Sequence, residues 1–183
     1  LINRPNVTVN LEPDGANRIF EWIISEQYDC GITDVFSDHP AVECQRIPMK
    51  TVCIISEGNT LGKKKFITPE DLINEPMIHS RRDSAFYRKL EEVFTLHNVK
   101  INSWIETRQF NSACMLVAEG RGVSIVSEMD AREYESRGLI IKPFRPVIPH
   151  TLMLVRPKHT ALSTIALEFL DFFESSLEPF RLK

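Results

Sequence analysis

The stretch WIETRQFNSACMLVAEGRGVSIVSE, residues 104–128, decides the fold. It predicts a strand, a polar loop, a helix and a second strand, in that order. Asn111 or Ser112 is expected to cap the helix, because a short side-chain oxygen accepts hydrogen bonds from the first free backbone N–H groups. Gly120 and Gly122 are expected to end it, since glycine adopts positive φ readily. Such a strand–helix–strand unit is normally right-handed and lies in a mainly parallel sheet.

The polar loop of this stretch is a candidate binding site. Open α/β sheets bind ligands at the carboxyl ends of their strands, and the start of a helix favours an anion. The loop consists of Thr107, Arg108, Gln109, Phe110 and Asn111. The alternative interpretation is a helix cap that binds no ligand.

Length and composition are those of a globular protein. The chain has 183 residues, of which 43% are hydrophobic, enough for one domain or two small lobes. Its formal charge of −3 lacks the basic excess of a nucleic-acid surface. No stretch approaches the roughly 20 apolar residues of a membrane span, so we expect no membrane partner.

The four cysteines show neither CxxC nor zinc-type spacing. They are Cys30, Cys44, Cys53 and Cys114. Most of them lie in apolar runs, so we expect reduced, buried thiols and a cytoplasmic protein.

The remaining pattern predicts strands alternating with helices. A first strand is predicted over residues 7–11, where β-branched and polar side chains alternate. Further strands are predicted over residues 30–34, 42–47, 51–55, 76–80, 139–144 and 151–155, and helices over 16–26, 68–72, 85–97, 129–137 and 163–175.

Three polar turns each end a predicted strand and begin a predicted helix: residues 12–15, 80–84 and 107–111. They offer carboxylates, guanidinium groups and free helix N–H groups, and Asp34 adds a carboxylate at another strand end. This combination suits a zwitterion, with its carboxylate on arginine and helix N-termini and its ammonium on aspartate.

Catalytic patterns are weak. The five histidines lack the HExxH spacing of a zinc site, and no GxSxG or phosphate-binding loop is present. We therefore expect no enzyme, no metal and no cofactor. His150, beside a proline-rich segment, is the histidine that most merits a test.

The order of these elements resembles the effector-binding domain of LysR-type transcriptional regulators along nearly the whole chain. The matching segments are RPNV at 4–7, YDCGI at 28–32, TPEDL at 68–72 and GRGVSIV at 120–126. Three further segments are most similar to the branch that contains LysR itself and the opine-catabolism regulators: SRRDS at 80–84, IET at 105–107 and GLII at 138–141. That branch responds to amino acids and their derivatives.

The resemblance implies an α/β fold with two Rossmann-like lobes joined by two crossings, as in type 2 periplasmic binding proteins. The first lobe would comprise residues 1–50 and 150–183, without the family's first strand and helix, and the second residues 51–149. The family's effector-binding positions fall on Asp14, Gly15, Ser80, Arg81, Thr107, Arg108, Gln109, Phe110, Asn111 and Ser127. The turn after Val126 often carries proline in the family, whereas Ser127 follows here.

By this resemblance the chain is a sensor module that binds a small amino-acid-like effector between the lobes. It would modulate DNA binding by a helix-turn-helix domain that these residues lack, and would form a homodimer, or a tetramer when full length. Two alternatives have the same fold: a periplasmic solute-binding protein for amino-acid transport, and an enzyme.

Overall fold

The computed structural model describes residues 6–182, which form helices and strands in alternation. The α-helices are α1 (Ala16–Ile24), α2 (Ala85–Leu96), α3 (Phe110–Ala118), α4 (Glu128–Arg132) and α5 (Thr164–Leu177). The strands are β1 (Gly31–Thr33), β2 (Val42–Met49), β3 (Thr51–Ser56), β4 (Met77–Ser80), β5 (Ser103–Thr107), β6 (Ser124–Ser127), β7 (Leu139–Pro143) and β8 (His150–Pro157). Short 3-10 helices cover Thr60–Lys63, Pro69–Leu72, Glu135–Arg137 and Glu178–Phe180.

The first sheet has the order β1-β8-β2, and both pairs are antiparallel. Alternate residues of β8 face opposite sides, as the strand period requires. Met153 and Val155 pack with Phe20 of α1, whereas Leu154 packs with Leu170 of α5. One helix therefore covers each face of this sheet.

The second sheet has the order β5-β4-β6-β3-β7. An isolated parallel bridge between Met77 and Val123 joins β4 to the start of β6. β4 and β5 are parallel, whereas β3 is antiparallel to both β6 and β7. The predicted parallel arrangement thus holds for β5-β4-β6 only. β3 follows β2 directly, without a helix between them. It runs opposite to its neighbours β6 and β7, each of which follows a helix.

The centre of the second sheet is its driest part. β3 is buried on both faces, which is typical of a strand between two layers of helix. Cys53 and Ile55 pack in the cluster that includes α2, and Val52 and Ile54 in the cluster that includes α3. The strong apolar signal at residues 51–55 reflects this position.

Gly122, in the turn before β6, permits a close backbone approach to Pro76, which precedes β4. Its φ is +144°, and a Cβ at this position would lie 2.2 Å from the carbonyl oxygen of Pro76. That carbonyl accepts a hydrogen bond from the backbone N–H of Val123 at 2.9 Å. Any side chain at residue 122 would therefore push β6 away from β4.

The strand predicted over residues 7–11 is wrong. The segment contains no strand, and Leu11 is 87% exposed. An alternating pattern forms a strand only where a neighbouring strand supplies hydrogen bonds, and none of the strands described pairs with this segment.

Two helix boundaries also differ from their prediction. α3 begins at Phe110 with Gln109 as N-cap and has no side-chain cap, so neither Asn111 nor Ser112 caps it. The predicted helix over residues 129–137 is divided into α4 and a 3-10 helix, which ends at Gly138 with φ +83°. The cap prediction at Ser163 is confirmed, because its side chain accepts from the Ala166 N–H.

Candidate functional site

The carboxyl ends of β4, β5 and β6 lie along one edge of the second sheet, because these strands are parallel. Ser80 is in register with Thr107. The backbone N–H of Arg81 donates to the carbonyl oxygen of Thr107 at 3.0 Å. The turns at 80–84 and 107–111, and the helices that follow them, are therefore neighbours, as predicted.

The turn before α2 is held by its own hydroxyl groups and by a buried histidine. The Ser84 hydroxyl accepts from the N–H of Tyr87 at 3.0 Å and donates to the Ser80 hydroxyl at 3.1 Å. Beneath it, His79 is 1% exposed and contacts the Ser80 carbonyl oxygen through Nδ1 at 2.8 Å. A carbonyl oxygen only accepts, so Nδ1 carries the proton.

The second ring nitrogen of His79 continues this chain of hydrogen bonds. Nε2 lies 2.7 Å from the Ser103 hydroxyl, which also accepts from Nη2 of Arg82 at 3.4 Å. In the neutral ring Nε2 accepts, so the Ser103 hydroxyl donates to it. The sequence does not predict a structural role for His79, since its only signal is a polar residue inside an apolar strand.

The arginines at this edge differ in their partners. Nε of Arg81 donates to Asp83 at 3.0 Å, and Arg82 lies 3.8 Å from the Glu106 carboxylate. Arg108 is exposed and makes no ion pair or hydrogen bond within residues 6–182. An incoming carboxylate would therefore find Arg108 available and Arg81 engaged by Asp83.

Three aromatic rings connect the second sheet to the first. The Phe110 ring is 5.1 Å from that of Phe86 and 5.1 Å from that of His150, and the Phe86 and His150 rings are 5.7 Å apart. All three pairs are edge-to-face, a favourable geometry for aromatic rings. Phe110 is the first residue of α3 and Phe86 the second of α2, whereas His150 begins β8 in the first sheet.

The surroundings of His150 disfavour its charged form. Burial lowers the pKa of His150 to about 4; the Asp34 carboxylate opposes this shift and the Lys89 ammonium adds to it. Lys89 is itself held by a hydrogen bond from Nζ to the carbonyl oxygen of Pro149 at 3.2 Å. The imidazole is therefore neutral near pH 7.

The predicted site residues of the first sheet lie at the same end as His150. Gly31, at the start of β1, lies against Ile19 and Ile23 of α1. The start of α1, with Asp14 and Gly15, is thus directed toward the other end of β1, where Asp34 follows and β8 begins. Oδ1 of Asp14 accepts from the N–H of Gly15 at 2.6 Å. Among the residues described, no hydrogen bond or ion pair links Asp14 or Gly15 to the turns of the second sheet.

Ser127 lies where the two sheets meet. We call this region the junction; it comprises residues 49–51, which pass from β2 to β3, and residues 144–149, which precede β8. It is in register with Thr51, whose hydroxyl donates to the carbonyl oxygen of Ile148 at 2.7 Å. The buried Ser127 hydroxyl makes no hydrogen bond of ordinary geometry with the residues described. Asp130 is its polar neighbour: burial raises the pKa of Asp130, while its own backbone N–H and Ser127 lower it.

Residues 3–178 match the family model described as the LysR substrate binding domain. The chain belongs to this family. It is 29% identical over 178 residues to the transcriptional activator protein LysR of Escherichia coli K12, and 27% identical over 170 residues to the regulatory protein NocR of Agrobacterium tumefaciens T37. These alignments cover 97% and 92% of this chain but 57% of each relative, so the chain spans little more than half their length.

Solved structures confirm the fold. The effector-binding domain of BenM with its effector benzoate superposes with a TM-score of 0.70 at 18% identity, covering 94% of this chain and 82% of that domain. The predicted α/β architecture of the type 2 periplasmic-binding-protein kind is thus confirmed, as is the resemblance to LysR regulators. The two relatives of known sequence named above are a transcriptional activator and a regulatory protein.

The rest of this LysR-family chain contributes two absences and one groove. Within residues 6–182, no three histidine, cysteine or acidic side chains come together as metal ligands. In the same residues, no helix is long and apolar enough to cross a membrane. A groove between the first sheet and α5 is lined by groups that pair with one another, namely Arg156 with Glu43 and Gln45 with Glu174.

Proposed function

We propose that this chain is the effector-sensing domain of a bacterial LysR-type transcription regulator. It binds a small amino-acid-like zwitterion between two lobes and thereby modulates DNA binding by a helix-turn-helix domain elsewhere in the full-length protein. The first lobe comprises residues 1–50 and 150–183, and the second residues 51–149. Membership of the LysR family supports the sensing role. The proposed class of effector and the proposed binding residues are supported by the geometry of the turns.

One observation carries the proposal: the hydrogen bond from the Arg81 N–H to Thr107, which holds the starts of α2 and α3 side by side. Two adjacent helix N-termini present free N–H groups and positive dipole ends toward one point. Arg81 and Arg108 add positive charge there. A carboxylate is the complementary ligand group, and benzoate, the effector in the BenM structure, is also a carboxylate.

The opposite wall of the proposed cleft is acidic. Asp34 follows β1 close to His150, and Asp14 precedes α1 at the same end of the first sheet. An ammonium group of the effector would pair with these carboxylates while its carboxylate binds the second lobe. The proposed contacts are Asp14, Gly15, Ser80, Arg81, Thr107, Arg108, Gln109, Phe110, Asn111 and Ser127.

A ligand that bridges the lobes acts on their relative angle. It shifts the equilibrium only if it binds one arrangement better than the other. The junction is the natural hinge, because the backbone passes between the sheets at residues 49–51 and 144–149. We further propose a non-enzymatic, cytoplasmic protein that forms a homodimer, and a tetramer when full length.

A thermal-shift screen of amino acids and their derivatives tests this function, because a ligand that prefers the native state raises its stability. We expect an amino acid to raise the melting temperature, and Arg81→Ala and Asp14→Ala to abolish the shift. Arg121→Ala, an exposed substitution away from these turns, serves as control. Stabilisation by purely apolar or aromatic acids alone would contradict a zwitterionic effector.

A further inference from the structure

We infer that His150 is an effector-contacting residue, and that the effector is an amino acid whose side chain carries a hydrogen-bonding group. This inference rests on the proposed function, because it places that side chain between the lobes. His150 is not among the positions that the family resemblance marks, and no catalytic role is needed to explain it.

The ring nitrogens of His150 are not bound by the protein. The side chain is 7% exposed, and neither nitrogen makes a hydrogen bond within residues 6–182 or counts among the enclosed polar atoms without a partner, which are the Ser127 hydroxyl and Nε of Arg181. An imidazole nitrogen that no protein group binds is free to bond a molecule that reaches it. The other buried histidine, His79, provides the contrast, since both its nitrogens are bonded. A bound molecule would supply the partner that the protein does not offer to His150.

His150 also lies between the two sheets. It belongs to the first sheet but touches Phe86 and Phe110, in the first turns of the two helices proposed to bind the carboxylate. Of the charged groups that face it, Lys89 is already bonded to Pro149, whereas the Asp34 carboxylate is exposed. The imidazole thus lies between the proposed carboxylate and ammonium positions.

The chemistry of these groups indicates what they select. A neutral imidazole offers one donor and one acceptor, and the two phenyl rings beside it offer apolar surface. A side chain with a methylene portion and a polar end would satisfy both. A site built to hydrogen-bond a ligand group discriminates strongly against the analogue that lacks it, so His150 would reject apolar amino acids of the same length.

Calorimetry with matched ligands tests the inference, using L-lysine with L-norleucine and L-glutamine with L-methionine. In at least one of these two pairs, wild type is expected to bind the polar amino acid about tenfold or more tightly than the apolar one. This difference in Kd is the scale of one hydrogen bond. His150→Phe keeps an aromatic ring and should remove that preference, whereas His159→Phe, at an exposed histidine, should keep it. Unchanged discrimination in His150→Phe would overturn the inference and leave the proposed function intact.

A second measurement needs no ligand. In ¹⁵N spectra of the histidine rings, His79 should show one tautomer with its proton on Nδ1, because a carbonyl fixes it. His150 should show both tautomers, since no protein group selects one. A single, protein-fixed tautomer for His150 would overturn the inference. If no amino acid binds wild type, the zwitterion proposal fails, and this spectrum still decides whether His150 is unpartnered.

Discussion

The guanidinium of Arg81 is paired with the carboxylate of Asp83, two residues further along the same turn. Nε donates to Oδ1 at 3.0 Å, and Nη2 forms a second bond to Oδ2. This is the geometry in which arginine binds an external carboxylate. Asp83 therefore occupies the position that the effector's carboxylate would take on Arg81, and binding there must displace it.

The first prediction is that Asp83→Asn strengthens effector binding by about two- to fivefold. Exposed ion pairs contribute about 0.2–1 kcal/mol. In Asp83→Asn the effector no longer has to break such a pair in order to bind Arg81. Calorimetry with the most stabilising amino acid of the screen measures the change. Glu92→Gln removes the same charge from the exposed side of α2 and should leave affinity unchanged. Weaker binding in Asp83→Asn would show that Asp83 orients Arg81 rather than competing for it.

The second prediction compares two glycines in one loop. Gly120 has φ +73° and open space around it, so Gly120→Ala should cost about 1–2 kcal/mol of unfolding free energy for the left-handed backbone alone. Gly122→Ala adds a collision with the Pro76 carbonyl oxygen and should cost at least about 2 kcal/mol more. Urea denaturation measures both values. Equal stability of the two variants would mean that β6 moves away from β4 without cost.

Most elements of the second sheet could be predicted from the sequence. Residues 51–55 form a buried strand, and four of them, residues 52–55, pack alternately against two helical layers. Residues 85–97 predicted α2 because their apolar side chains recur at helical spacing, and the structure adds Ser84 as the cap of its first turn. Such signals are local and depend little on the rest of the chain.

Where the predictions were wrong, the missing information was tertiary. Residues 7–11 have the alternation of a strand, but a strand also needs a partner that sequence does not reveal. The sequence predicts Asn111 or Ser112 as the cap of α3, yet the helix begins at Phe110, whose ring packs against Phe86 and His150. These contacts join residues that are distant in sequence, so the local pattern does not reveal them.

In the candidate site, too, some features could be predicted from local sequence and others depend on tertiary contacts. Adjacency of the turns at 80–84 and 107–111 followed from parallel strands and could be predicted. The pairing of Arg81 with Asp83 could not be predicted. The contrast between His79 and His150 could not be predicted either, since both histidines are single polar residues near strand ends. Which histidine finds partners depends on Ser103, 24 residues from His79 in sequence.

The third prediction concerns His79 as the support of the turn before α2. His79→Leu leaves the Ser80 carbonyl without its donor, so we expect a loss of about 1–3 kcal/mol in unfolding free energy. His79→Asn places an amide near the position of Nδ1 and should recover part of that loss. His79→Gln, whose amide lies near the position of Nε2, should recover less. Chemical denaturation of the three variants checks the order, and equal values for Asn and Gln would contradict the assigned tautomer.

The fourth prediction is a pH dependence that originates at His150. Burial lowers its pKa from 6.5 in the unfolded chain to about 4 in the folded one, so between these values the unfolded state binds a proton that the folded state does not. Stability should therefore be full above pH 6.5 and fall as pH drops toward 4, by up to about 3 kcal/mol at 1.36 kcal/mol per pKa unit. His150→Phe cannot bind that proton. Its unfolding free energy, measured by urea denaturation from pH 4 to 7.5, should be flatter than that of wild type, whereas His159→Phe should retain the wild-type slope. Parallel curves for wild type and His150→Phe would show that the imidazole titrates as freely in the folded state as in the unfolded chain.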